Sequence, residues 1–143
     1  GDRFNHIKQV VGKKNLNNFF ILESTNHSNL SSYFALADFA IATIPEHDSL
    51  YKYGLSPLKV FDYMYHQLPI LFLGNKSYLD FDSDGIIACK FDCEKSFKNS
   101  LTKINSLSKN DLREKGILNY NLVKINNSPE SMSKKFMEIL SDI

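Results

Sequence analysis

The sequence predicts an α/β domain built on a doubly wound, Rossmann-like parallel sheet, and three observations carry that prediction. Short apolar runs recur at Phe19–Leu22, Phe39–Ile44, Ile70–Leu73 and Ile86–Cys89. None alternates polar with apolar residues, which is the pattern of strands covered on both faces. Helical patterns lie between the runs, and strands alternating with helices argue for a parallel layer.

Taken in order, Phe4, Ile7 and Val11 form one helical stripe, and Leu30, Phe34 and Ala37 a second. Ser56-Pro57 opens a third helix, predicted over Pro57–Gln67: serine is a good cap, and proline suits the first helical turn. Pro69 then leads into the run Ile70–Leu73. After the last strand, Phe97, Leu101 and Ile104 recur at helical spacing, as do Met132, Phe136, Ile139 and Leu140. The chain opens on a helix feeding an interior strand, so the fold is expected to lack its first βαβ unit.

At 143 residues, with 43% hydrophobic and 23% charged content, residues 1–143 read as one domain with a real core. The net charge of +1 gives no pointer to nucleic acid. No run is long and apolar enough to span a bilayer, and no signal-peptide pattern is visible. Cys89 and Cys93, in a C-x3-C spacing without partners elsewhere, read as reduced thiols near a strand end. Asn-x-Ser triplets at Asn26, Asn29, Asn75 and Asn126 read as chance in a chain rich in Asn, Lys and Ile.

The stretch Tyr53-Gly54-Leu55-Ser56-Pro57-Leu58-Lys59-Val60-Phe61-Asp62-Tyr63-Met64, closed by Leu68-Pro69-Ile70-Leu71-Phe72, is the most informative part of the chain. A helix start behind a sheet offers free N–H groups and a positive dipole end, which suit a phosphate. Many helices open this way without binding anything; Gly54 and the sheet edge raise the functional reading. The donors would be the Leu58 and Lys59 amides, with the Ser56 hydroxyl. Asp62, further into the helix, reads as an acceptor for sugar hydroxyls, against its alternative as an exposed helix carboxylate. Lys59 reads either as a phosphate contact or as a solvated helix lysine. Phosphate donors followed by a hydroxyl acceptor are what a nucleotide-sugar requires.

The same residues resemble the nucleotide-binding signature of family 4 (group 1) glycosyltransferases of the GT-B fold, nearest to bacterial members that build O-antigen and capsular polysaccharide. The resemblance extends more weakly from Gly1-Asp2, through Asn17–Leu22 and Ala35–Ile41, to about Leu140. It implies the donor-binding C-terminal half of a GT-B enzyme, with an N-terminal acceptor domain and phosphate-binding Arg and Lys preceding Gly1. In resembling enzymes the acid matching Asp62 accepts hydrogen bonds from the ribose hydroxyls. Most of the family has Glu there, so the shorter Asp62 must approach about 1.5 Å closer. The family's first paired Glu falls on Gly54, and its sugar contacts would pass to the backbone there or to Glu46 or Asp48, which otherwise read as solvated loop acids. The family's glycine after the signature helix is Gln67 here, which suggests a slightly different helix exit.

The expectation is therefore a retaining glycosyltransferase domain that binds a nucleotide-diphosphate sugar, UDP-linked in preference to GDP-linked, with no cofactor and no metal. By resemblance, it would act in the cytoplasm at the membrane face on a growing lipid-linked glycan, and the fragment alone would be inactive. No catalytic residue is assigned; His47 and His66 lack an acid partner at a known spacing, and His66 suits the helix dipole. Two alternatives stand beside this: a non-catalytic nucleotide-sugar module or partner subunit, for which Gly54 and Asp62 would suit a weakened site, and a flavodoxin-like phosphate-binding regulatory domain, which would not need Asp62.

Overall fold

The computed structural model describes residues 4–23, 25–45, 57–79 and 81–141. The chain divides into two units, Gly1–Leu30 and Ser31–Ile143. In the first, helix α1 (Phe4–Lys13) gathers Phe4, Ile7, Val10 and Val11 on one side, yet none of its residues is buried. It ends where Asn15 takes a positive φ of 49°. The Asn15 and Leu16 amides then close onto Gly12 and Val11, which satisfies two terminal carbonyls.

Phe19–Leu22, expected as a strand, is not one. A β-prone run becomes a strand only when its amides and carbonyls join a ladder. Among the described residues this run has no ladder partner, and Phe20 is 81% exposed. Helix α2 (His27–Phe34) ends three residues before Ala37, the last member of the predicted stripe.

The second unit contains the sheet. Strands β1 (Ala40–Thr43), β2 (Ile70–Leu73) and β3 (Ile86–Cys89) lie parallel in the order β1-β2-β3. Ala40, Ile70 and Ile86 are in register, as are Ala42, Phe72 and Ala88. The three-stranded parallel sheet with helices on both faces bears out the α/β expectation in this coarser form.

The helices are α3 (Leu58–Tyr65), α4 (Glu94–Asn105), α5 (Lys109–Asn127) and α6 (Pro129–Ser141). On one face of the sheet, Ala42, Ile70, Phe72 and Ile86 pack with Val60 and Met64 of α3 and Val123 of α5. On the other, Leu71, Ile87 and Cys89 pack with Ile104, Phe97 and Leu101 of α4. Successive strand residues point to opposite faces, so uninterrupted apolar runs are what this two-sided burial demands. At β1 the burial alternates, and Ile41 is 45% exposed.

No apolar stripe in the sequence announces helix α5. Its buried positions are Gly116, Asn119 and Val123, a spacing of one helical face without an apolar stripe. A Cβ on Gly116 would collide with the Gln67 carbonyl oxygen, so the glycine lets α5 seat directly on the backbone leading into β2. Asn119, fully buried, donates to the Leu68 carbonyl at 2.8 Å and the Gly85 carbonyl at 3.2 Å. Its Oδ1 accepts from the Ser83 hydroxyl at 2.6 Å, which in turn accepts from the Gly85 amide at 3.1 Å. These bonds satisfy buried polar groups that would otherwise be costly. The helix starts on a capping box: Ser108 Oγ accepts from the Asp111 amide at 3.1 Å, and Asp111 Oδ2 accepts from the Ser108 amide at 3.0 Å.

Candidate functional site

The signature helix α3 is placed by its apolar face. Val60 and Met64, one turn apart, are buried against the sheet. That anchoring directs the start of α3 toward the carboxyl end of β1, the end where open parallel sheets take ligands.

The helix start differs in detail from the expectation. Pro57 occupies the cap position itself, in an extended conformation (φ −76°, ψ 108°), and makes no side-chain cap bond. Ser56, expected to cap, lies outside the described residues, as do Glu46, Asp48 and Gly54. The Pro57 carbonyl accepts from the Val60 amide at 2.9 Å. The Leu58 and Lys59 amides precede it in the first turn, where no intrahelical acceptor exists. Both residues are exposed, Leu58 at 80%. Lys59 Nζ donates to the Thr43 carbonyl at 3.4 Å, so its charge sits over the carboxyl end of β1.

Asp62 lies one turn beyond Leu58 on α3 and is partly buried. Beside it, burial pushes the Tyr63 phenol above its usual range, and the Asp62 carboxylate adds to the shift. Both causes oppose a phenolate, so Tyr63 is a neutral hydrogen-bonding group at ordinary pH. The Tyr63 ring meets Phe34 edge to face at 5.5 Å.

The structure therefore brings Pro57, Leu58, Lys59 and Asp62 onto one short helix, with its start at the carboxyl end of β1. His66 falls at the other end of that helix. It caps α3, with Nε2 3.4 Å from Ser31 Oγ and its ring 4.9 Å from Phe34. Gln67 takes φ 57°, and the Gln67 and Leu68 amides bond to Met64 and Tyr63, the geometry that glycine usually provides.

The other strand ends frame the same edge. A Cβ on Gly74, just past β2, would lie 2.9 Å from the Ile44 carbonyl oxygen. The absent side chain lets the ends of β1 and β2 approach closely. Cys89 ends β3 as a buried free thiol, and Cys93, also free, stands at the start of α4. Burial raises the Cys89 pKa, with a further push from Cys93, so Cys89 is a poor nucleophile. Among the described residues no three His, Cys, Asp or Glu side chains are grouped to hold a metal, and no helix is long and apolar enough to cross a membrane.

Comparison with protein-family models, with curated proteins and with solved structures returned no match.

Proposed function

We propose that this chain is the donor-binding part of a retaining glycosyltransferase of the GT-B type, which takes a nucleotide-diphosphate sugar for transfer to a growing glycan. The observation that carries the proposal is the position of the α3 start. Its Leu58 and Lys59 amides stand in the first turn, at exposed residues near the carboxyl end of a parallel strand, with the Lys59 ammonium held over that strand by the Thr43 carbonyl.

The chemistry fits such a group. Departure of a nucleoside diphosphate leaves positive character on the sugar and gathers negative charge on the phosphate. Backbone donors, a positive helix end and one lysine stabilise that charge without reorganising. In this reading Lys59 exchanges its 3.4 Å contact with Thr43 for a phosphate oxygen, and Asp62 takes the ribose hydroxyls. Acceptor recognition belongs to a separate N-terminal domain, and action at the cytoplasmic membrane face rests on the sequence resemblance. Gly54, in place of an acid that would touch the sugar, favours a second reading, a nucleotide-sugar-binding module without turnover.

Calorimetry of the chain with UDP, GDP and ADP tests the proposal. Weak binding of a nucleoside diphosphate, strongest for UDP and without sugar transfer, is the expected result. No heat with any of the three would exclude a donor site on this chain, and sugar turnover by the chain alone would refute the need for a second domain.

A further inference from the structure

A second concavity lies at the amino end of the sheet, away from the start of α3. Its volume is about 310 Å³, and it opens where the end of α2, the segments leading into β1 and β2, and the first turns of α5 meet. Phe34, Pro69 and Leu112 give it apolar walls, while Asp38, Lys109 and Arg113 bring charges to it.

The wall between α3 and β2 is held firmly. Gly116 presses α5 onto the Gln67 carbonyl, and the buried Asn119 amide fixes the Leu68 carbonyl at 2.8 Å. The charges, by contrast, are uncommitted. Among the described residues Lys109, Arg113 and Asp38 form no ion pair, with one another or elsewhere. Lys109 and Arg113 are one turn apart on α5, so both heads reach the same mouth. A hollow with a fixed wall, apolar patches and a few converging polar groups can hold a small molecule.

We propose that this cavity binds a small organic carboxylate, its head on Arg113 and Lys109 and its apolar body against Phe34, Pro69 and Leu112. The planar Arg113 guanidinium matches a carboxylate in two parallel hydrogen bonds. Asp38 contributes negative charge to the same cavity, which disfavours a phosphate dianion relative to a singly charged head. The site is independent of the nucleotide proposal, because it shares no residue with the α3 start.

Titration of the chain with benzoate, read by amide chemical shifts, tests this. Saturable shifts are expected at residues 34–38, 67–69 and 109–113, with benzoate binding about tenfold tighter than acetate for its buried ring. Lys109→Ala with Arg113→Ala should weaken benzoate by at least about tenfold, since charged hydrogen bonds are lost. Both side chains are exposed, and an unchanged spectrum elsewhere verifies the fold; Arg113→Gln alone provides a milder second variant. Lys59→Met should leave benzoate binding unaltered. Shifts that never saturate, equal affinity in the variants, or tighter binding of inorganic phosphate than of benzoate would each overturn the assignment.

Discussion

Asp62 is the residue on which the nucleotide reading turns, because it is an acid on an otherwise apolar and aromatic stretch of helix. It is partly buried next to a Tyr63 that stays neutral, one turn along the helix from Lys59. Asp62→Ala should weaken UDP binding by about 1–3 kcal/mol, the range for hydrogen bonds to a charged acceptor, while the melting temperature changes little. A collapsed melting temperature with UDP affinity intact would make Asp62 structural. Asp111 offers a second test, on stability alone. Its bonds with the Ser108 side chain and amide hold its carboxyl below the usual 3.8. A depressed folded pKa means that its contribution is full above the unfolded value. The contribution is lost as pH falls through the lower folded value. Asp111→Asn should therefore be less stable than the parent at neutral pH, and the gap should close in denaturation series run progressively below about pH 4. A gap that persists unchanged at pH 2 would show that the carboxylate charge is not what stabilises the start of α5.

Within the elements, the start of α3 should matter more than any single side chain on it. Lys59→Met should cost only about 1–2 kcal/mol of UDP binding. Pro57→Gly combined with Ser56→Ala should cost more, because it frees the turn that aligns the Leu58 and Lys59 amides. Calorimetry on the two variants decides the order, and a larger loss for Lys59→Met would move the phosphate from backbone to side chain. How far the elements could be read from the sequence depends on what buries them. Strand β2 was legible because burial on both faces leaves an uninterrupted apolar run, and β1 and β3 because their runs are apolar even where one residue faces outward. Helix α3 was legible from Ser56-Pro57, although its cap fell one residue later than expected and its last residue is Tyr65 rather than Gln67. Helix α5 was not legible, because it packs through a glycine and an asparagine whose value appears only when the Gln67, Leu68 and Gly85 carbonyls are in place. Phe19–Leu22 failed in the opposite sense: its residues suit a strand, but strand formation is a property of a pair. Of the proposed site, Pro57, Leu58, Lys59 and Asp62 can be placed, and the contact between Lys59 and Thr43 is a long-range fact no local pattern contains.

For the molecule as a whole, the distribution of burial predicts where the chain opens first. Ile70, Leu71 and Phe72 in the central strand are fully buried, and β2 is paired on both edges. No residue of α1 is buried. Hydrogen exchange should accordingly find the β2 amides released only by global unfolding and the α1 amides released by local fraying. Equal protection in the two segments would contradict this ranking. The Asn119 network carries a consequence for kinetics. Its donors and acceptors are separated by 51 residues to Leu68 and 34 to Gly85, so the bonds close long loops before they return any energy. The Leu68 carbonyl gains its Asn119 partner only once α5 is seated, whereas the Gly85 carbonyl already accepts from the Ile70 amide at 2.9 Å within the sheet. The docking of α5 and the ordering of the β2 lead-in are thereby coupled through one side chain, and Asn119→Ala should loosen both together in hydrogen exchange.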